Sequence, residues 1–321
     1  MPPGVYRKFD VTAVETPACP FRRIRPPVCL FSQKAAATVS ICDIFATFAR
    51  NFKSMFQFIS LGSGSSGNCY YLFSEHGGLL IDVGIGIRTL KKHFQTYGFS
   101  LNDIQQILVT HDHADHVKTV GVVSNDYGVP VYATEKVHKG IFNNFCVHKK
   151  PPVNLLRHVI PGTAFKAGDF EVTPFTIPHD SSDNVGYRIV YDGIVFCMMT
   201  DVGHVTDEMK AYIAEANYLV IESNYDEDML RLGHYPKRLK ERISNGTGHL
   251  SNAACANALV THATARLRHV WLCHLSEENN HPELARKTLE QALREREMPS
   301  EIHFGFDVLK RKVPGKVYSL E

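Results

Sequence analysis

Residues 107–116 read ILVTHDHADH, an apolar run that passes directly into a cluster of histidine and aspartate side chains. The apolar run is typical of a buried strand, so His111, His113, Asp115 and His116 fall on the turn after it, where a helix begins. Four ligand-type residues within six positions are hard to explain as solvated surface. Imidazole and carboxylate together suit zinc, manganese or iron. The stretch therefore predicts a metal site at the end of a strand.

Three further polar residues follow apolar runs in the same way. They are His179 in FTIPHDSSD, Asp201 in FCMMTDVGH and His274 in VWLCHLS. Each is weak evidence alone, because a polar residue often ends a strand. Strand ends are, however, the places from which a rigid scaffold presents functional residues at one rim. We therefore expect these three residues to join the first cluster.

The surrounding sequence indicates one domain of short strands and helices over residues 55–321. The runs MFQFISL, CYYLFS and GLLIDVG, separated by Gly and Ser, predict an antiparallel meander, and a second β-rich block covers 155–200. The loop GSGSSGN at 62–68 lacks the ending of a phosphate-binding loop and is predicted to be a tight turn between strands. Helices are predicted at 86–96, 115–126, 135–145, 205–215, 236–244, 252–263 and 282–295. This alternation favours two packed sheets with helices outside.

Residues 1–54 differ from the rest of the chain in composition. They carry eight Lys and Arg against three Asp and Glu, and they begin with a Pro-rich stretch. We expect an extension that is disordered or not part of the domain, with Met55 as the true start of the protein. An organelle transit peptide is the alternative, because acidic residues are few.

The composition favours a cytoplasmic protein without a membrane partner. No run approaches the roughly 18–20 apolar residues of a membrane-spanning helix. The eight cysteines are scattered, as is typical of reduced thiols, and Cys197 and Cys273 lie in apolar runs that predict buried core. The net charge of +2 resides in the extension, so the domain would need a local basic patch to bind nucleic acid.

The motif HDHADH resembles the HxHxDH signature of the metallo-β-lactamase superfamily, and the later candidates follow in that superfamily's order of ligands. The resemblance covers residues 55–321 and implies a four-layer αββα sandwich with the site at one edge of both sheets. Asp82, in LLIDVG, matches the first motif and is expected to support the ligand loop. The resemblance also implies that one metal is held by His111, His113 and His179, the second by Asp115, His116 and His274, and that Asp201 bridges them.

Two metals about 3.5–4 Å apart lower the pKa of a shared water, so the expected nucleophile is a bridging hydroxide. Zinc is the first expectation for both divalent ions, and manganese or iron stays open. A bridging carboxylate at Asp201 suits phosphodiester or thioester substrates.

Four other segments are similar to the YycJ-type hydrolases, also called WalJ or VicX. They are LGSGSSGNCYYL at 61–72, IESNYDEDML at 221–230, GHLSN at 248–252 and HLSEENN at 274–280. This family is associated with 5′-to-3′ exonuclease activity on double-stranded DNA, which the resemblance implies for this chain. The alternatives are a small-molecule ester or thioester hydrolase of glyoxalase II type and a non-catalytic metal-binding module. A DNA substrate is expected, without an obligate protein partner.

Two segments near the site suggest substrate contacts. In GHLSN, His249 is a candidate proton donor, acting with Asp115 in catalysis, while Ser251 and Asn252 lie at a helix start that suits a phosphate. Asn280 is a further candidate substrate contact. The plainer interpretation is that Ser251 only caps the helix and that Asn280, with its neighbour Asn279, forms a turn. Likewise YPKRLKERIS is either a solvated basic face or a DNA-binding patch.

Overall fold

The structure is a computed structural model that describes residues 55–296 and 299–321, and the expected extension over 1–54 lies outside the described residues. Its strands form two seven-stranded sheets. The chain first runs through β1 (Phe56–Gly62), β2 (Cys69–Ser74), β3 (Gly77–Ile81), β4 (Ile104–Leu108), β5 (Val131–Ala133) and β6 (Leu156–His158). It continues through β7 (Phe165–Ala167), β8 (Phe170–Thr176), β9 (Val185–Tyr191), β10 (Ile194–Met199), β11 (Tyr218–Glu222), β12 (His269–Cys273), β13 (Gly305–Val308) and β14 (Tyr318–Leu320).

Helices connect the strands and cover the outer faces of both sheets. The α-helices are α1 (Ile87–Tyr97), α2 (Ala114–Val117), α3 (Val120–Tyr127), α4 (Glu135–Asn143), α5 (Asp207–Glu215), α6 (Glu227–Leu232), α7 (Lys237–Ser244), α8 (Asn252–His262) and α9 (Pro282–Glu295). Short 3-10 helices occupy Leu101–Asp103 and Val153–Leu155. In the part of the chain that the structure describes, no helix combines the length and the apolar character needed to span a bilayer.

Three layers of apolar side chains hold the four structural layers together. The central one joins the inner faces of the two sheets, for example Phe58 of β1 against Trp271 of β12, whose ring centroids are 4.6 Å apart. Alternate residues of the same strands point outwards, as Ile59 does towards the helices of the first sheet. A third cluster packs α5, α8 and α9 on the second sheet, and Cys197 lies in it. Cys273 lies in the central layer, so both cysteines are buried core as predicted. The predicted αββα sandwich is confirmed.

The topology brings one end of many strands to the same edge. The first sheet has the order β14-β1-β2-β3-β4-β5-β6, and β3 to β6 run parallel. The second has the order β13-β12-β11-β10-β9-β8-β7, and β10 to β13 run parallel. Parallel neighbours place their carboxyl ends together, so residues that follow β3, β4, β10 and β12 gather at one rim.

The helix predicted over 115–126 is interrupted in the structure. It divides into α2 and α3, and Lys118 and Thr119 lie between them. The Thr119 amide donates to the carbonyl of Val83, and its hydroxyl donates to the carbonyl of Ile85 at 2.6 Å. These bonds compete with the helical ones, which explains the break. The loop 62–68 connects two antiparallel neighbours, as predicted.

Candidate metal centre

The structure gathers all seven candidate ligands at the rim where the strands end. The loop after β4 and the helix α2 bring the first four, and the segments after β8, β10 and β12 bring the other three. Potential donor atoms lie within 4.8 Å of one another in several sets, and two of these match the predicted ligand groups: His111, His113 and His179, and Asp115, His116 and His274.

Asp201 lies between the two sets. Its Oδ2 is 3.2 Å from Nε2 of His116, and its Oδ1 is 3.7 Å from Nε2 of His179. The same Oδ1 is 3.6 Å from Nδ1 of His274. One carboxylate therefore faces an imidazole from each set, which is the position that a bridging ligand requires.

Three residues of the centre leave their strands with a left-handed backbone. The φ angles are 59° at Asp82, 54° at Asp201 and 54° at His274. A residue with a Cβ adopts this region at a cost of roughly 1–2 kcal/mol, so the surrounding structure must impose it. Each angle turns the chain sharply after a buried strand. The sequence pattern located these strand ends but carried no signal for the backbone conformation.

His111 has the properties of an imidazole prepared to bind a cation. It is fully buried, and its Nε2 has no hydrogen-bond partner within the described residues. Burial lowers its pKa well below the ordinary value, and the neighbouring His116 adds to this effect. The ring is therefore neutral, with a lone pair available for a metal. A buried polar atom without a partner is otherwise costly, so this observation fits metal binding.

The charge balance of the centre also fits divalent cations. Burial alone would lower the pKa of His116, but the carboxylates of Asp201, Asp82 and Asp115 raise it well above its ordinary value. Burial opposes protonation of His274 too, and Asp201 with Asp115 raises its pKa to about 10. When the imidazoles are neutral, the negative charge of these buried carboxylates is uncompensated. Metal ions take the place of such protons when they bind.

Asp82 forms hydrogen bonds to the ligand loop. Its Oδ2 accepts from Nδ1 of His116 at 2.7 Å, and its Oδ1 accepts from the Thr110 amide at 2.8 Å. This carboxylate therefore orients the His116 ring so that Nε2 points towards Asp201. Close backbone packing adds to the support, because a Cβ on Gly84 would lie 1.7 Å from the carbonyl oxygen of Asp115.

The glycine-rich loop between β1 and β2 contributes residues that sequence reasoning missed. The Asn68 side-chain amide lies 2.8 Å from Nε2 of His116 and 3.3 Å from Oδ2 of Asp115. Ser63 Oγ accepts from the His274 amide at 2.9 Å. The loop was predicted as a turn only. Its polar residues are short and common in turns, so nothing in the sequence separated these two from their neighbours.

Glu222 is a third missed residue, and it is buried at the end of β11. Its Oε2 accepts from the amides of Val202 at 2.7 Å and Leu250 at 3.0 Å. Its Oε1 accepts from Nδ1 of His274 and of His249. Asp201, Glu222, His249 and His274 also form a donor set within 4.8 Å. Because Glu222 is already bonded to both rings, we assign it to orienting them. Its position after NYLVI repeats the strand-end signal used for the other candidates.

His249 lies beside the two donor sets. Its ring centroid is 5.3 Å from that of His179 and 5.4 Å from that of His274. Burial opposes its charge, but Glu222 and Asp201 raise its pKa above the ordinary value. The bond from Nδ1 to Glu222 leaves Nε2 for another partner. A protonated imidazole held in this way suits a proton donor.

The three candidate substrate contacts are engaged inside the protein. Ser251 Oγ caps α8 by accepting from the Ala254 amide at 3.1 Å, and it donates to Glu227. The amides of Asn252 and Asn280 are buried and bond to each other at 2.9 and 3.0 Å. Because the Ser251 hydroxyl and both buried amides already have partners within the protein, none of the three is available to a phosphate.

Two of the four basic residues of α7 are engaged within the protein. Lys240 Nζ donates to the carbonyls of Arg231 and Gly233 at 2.8 and 2.7 Å. Arg242 pairs with Asp180, next to the candidate ligand His179. These bonds stabilise the loops around the centre, whereas the side chains of Lys237 and Arg238 are exposed on the same helix.

Comparison with known proteins supplies sequence relatives. Residues 78–275 match a family model described as beta-lactamase superfamily domain. The chain is 36% identical over 243 residues to the exodeoxyribonuclease YycJ of Bacillus anthracis, covering 75% of this chain and 90% of that one. It is 34% identical over 250 residues to the exodeoxyribonuclease WalJ of Streptococcus pneumoniae, covering 78% of this chain and 92% of that one.

A solved structure shares the fold. The metallo-beta-lactamase fold protein YhfI from Bacillus subtilis superimposes with a TM-score of 0.62 and 17% sequence identity. The match covers 83% of this chain and 99% of YhfI. At this identity the likeness describes the fold alone.

Proposed function

Because the chain belongs to the metallo-β-lactamase superfamily, and within it to the family of the YycJ and WalJ hydrolases, we propose that it is a metal-dependent exonuclease that degrades double-stranded DNA from 5′ to 3′. The observation that carries the proposal is the placement of Asp201 between two donor sets. The names of the two relatives supply the substrate class. The direction of cleavage follows from the family resemblance.

In this proposal the chain holds two divalent ions, of which zinc is the first expectation. The first set is His111, His113 and His179, the second is Asp115, His116 and His274, and Asp201 contacts both. When bound, the ions would supply Lewis acidity for the phosphodiester and an activated water as the nucleophile. Mixed imidazole and carboxylate donors also accept manganese or iron.

His249 protonates the leaving oxygen of the cleaved phosphodiester. Glu222 accepts from its Nδ1, so the ring presents Nε2 for this transfer. Glu222 and Asp201 raise the pKa of this ring above its ordinary value, which favours the protonated form that a proton donor requires. Glu222 is thus a positioning residue, since it orients both His249 and the candidate ligand His274.

The five cysteines of the described part are free thiols, which supports a reducing compartment such as the cytoplasm.

The test is nucleotide release from duplex DNA carrying a 5′-phosphate. Metal-analysed full-length protein is assayed beside the Asp115→Ala variant, with Asp126→Ala as a matched control at an exposed carboxylate. We expect release from the wild type and from Asp126→Ala, and none from Asp115→Ala. Fully metallated protein that releases nothing from DNA but hydrolyses a glutathione thioester would replace the proposal with small-molecule hydrolysis.

A further inference from the structure

A groove of about 620 Å³ opens beside the ligand loop, and nothing described so far uses it. Its lining includes Asp112 and His113 of the ligand loop, Lys136 and Lys139 of α4, and Phe145. Its size lies within the roughly 300–1,000 Å³ of ordinary ligand sites. Because His113 lines it, a molecule in this groove lies next to the candidate metal centre.

The walls of the groove are tied together. The Asn144 side-chain amide donates to the carbonyl of Asp112 at 2.8 Å, and its Oδ1 accepts from the Cys146 amide at 2.9 Å. Lys150 Nζ donates to the carbonyls of Ile141 and Asn144 at the end of α4. These bonds hold the residues on both sides of Phe145. The groove is therefore a formed feature and is not created by a loose loop.

Phe145 projects into solvent from this fixed loop. Its side chain is 87% exposed, more than any other large apolar residue in the described ranges. Neighbouring residues are held by specific bonds, so exposure of the ring does not follow from poor packing of the loop. Proteins that bind single-stranded nucleic acid stack bases on exposed aromatic rings of this kind.

The two lysines give the groove a positive wall. Lys136 is exposed and makes no ion pair with any residue that the structure describes. Lys139 pairs with Glu135 at 2.7 Å, but both side chains are about 70% exposed, and such surface pairs exchange at little cost. Asp112 is the acidic member of the lining, and its Oδ1 accepts from the Ser182 amide at 3.3 Å. The phosphates of a nucleic acid strand can therefore pair with these two lysines of α4.

We propose that this groove seats the DNA strand next to the bond that is cut, with an unpaired base stacked on Phe145 and backbone phosphates on Lys136 and Lys139. The inference rests on the proposed nuclease function and adds to it a surface that holds the substrate. The stacking and phosphate contacts are the same in the bound substrate and in the transition state. Their loss should therefore raise KM and leave kcat nearly unchanged.

The main test is the KM of the full-length, metal-loaded protein for a 5′-phosphorylated duplex with a short overhang. We expect Phe145→Ala to raise KM by roughly five- to hundredfold, because a stacked base contributes to affinity in this range. Val153→Ala is the matched control, since Val153 is 75% exposed and does not line the groove. An unchanged KM for Phe145→Ala would overturn the proposal.

A fluorescence experiment detects DNA in the groove without depending on turnover. The only tryptophan, Trp271, is fully buried, so Phe145→Trp adds one exposed fluorophore to a shielded background. We expect its emission to be quenched when phosphorothioate-linked DNA of the same design is added. Absence of quenching at saturating DNA would overturn the proposal. If the wild type releases no nucleotide, the nuclease function fails, and quenching still decides whether DNA enters the groove.

The phosphate contacts have a test of their own in the salt dependence of DNA binding. Lys136→Gln should reduce the slope of log affinity against log salt by about 1, since one phosphate contact is lost. Lys118→Gln serves as the control, because Lys118 is exposed but does not line the groove. An unchanged slope for Lys136→Gln would show that Lys136 does not contact a DNA phosphate.

Discussion

Oε1 of Glu222 lies 2.9 Å from Nδ1 of His274, and the same oxygen lies 2.9 Å from Nδ1 of His249. One buried carboxylate thus orients a candidate metal ligand and the candidate proton donor together. Removing the charge of Glu222 should disturb both rings. A change in a residue that contacts only one of the rings should disturb that ring alone.

We expect Glu222→Gln to weaken zinc binding by roughly 10- to 100-fold, the usual loss when a ligand's hydrogen-bond partner is changed. The amide keeps the shape of the side chain but cannot accept from two imidazoles with the strength of a carboxylate. Competition with a chromogenic chelator measures the affinity. Glu277→Gln is the control, because Glu277 forms an exposed pair with Lys312. Equal affinities in all three proteins would contradict the assignment.

His249→Ala should lower kcat by roughly 10²- to 10⁴-fold on DNA while the metal content stays at the wild-type level. The reason is that an alkoxide leaving group needs a proton. The 4-nitrophenolate group of a 4-nitrophenyl phosphodiester leaves without a proton. The variant and the wild type should therefore hydrolyse this substrate at similar rates. A deficit of equal size on both substrates would show that His249 does something other than donate a proton.

Gly84→Ala should destabilise the protein, since its Cβ would lie 1.7 Å from the Asp115 carbonyl oxygen. Overpacking of this kind costs roughly 1–3 kcal/mol or more. Gly86 offers a matched control two residues along the same turn, because nothing lies within 4 Å of a Cβ there and its φ is −65°. Urea denaturation should show a lower midpoint for Gly84→Ala and no loss for Gly86→Ala. Indistinguishable midpoints would mean that the ligand loop can move aside.

Metal removal should lower the thermal stability of the wild type. A ligand present at 100 times its Kd stabilises the folded state by about 2.7 kcal/mol, which corresponds to a Tm change of roughly 5 °C or more. Differential scanning fluorimetry of chelated and zinc-loaded protein measures the difference. The gain from zinc should shrink in His116→Ala, which lacks one donor. A zinc-independent Tm in the wild type would argue against two folded metal sites.

Local patterns were sufficient to locate most of the centre. An apolar strand followed by His or Asp is visible in the sequence, and the parallel arrangement of the strands then brings these ends together. Glu222 carries the same signal but was read as part of a family motif only. Asn68 could not be found in this way, because its role depends on a contact with His116 across 48 positions of the chain.

Non-local contacts also explain what was missed in the fold. The interruption at Thr119 arises from bonds to Val83 and Ile85, which belong to another segment. The short edge strand β14 exists because it pairs with the start of β1, at the far end of the described chain. The pairing of this strand with β1 cannot be inferred from the three residues Tyr318–Leu320 themselves.

The donors of the centre come from both sheets, with His111 and His116 following the first and Asp201 and His274 following the second. Neither sheet can therefore bind a metal tightly before the two have docked, so the chelate effect belongs to the assembled sandwich. A bound ion acts as a cross-link that opposes separation of the layers at this rim. Native-state hydrogen exchange at the ends of β4 and β12 should accordingly slow together when metal is added.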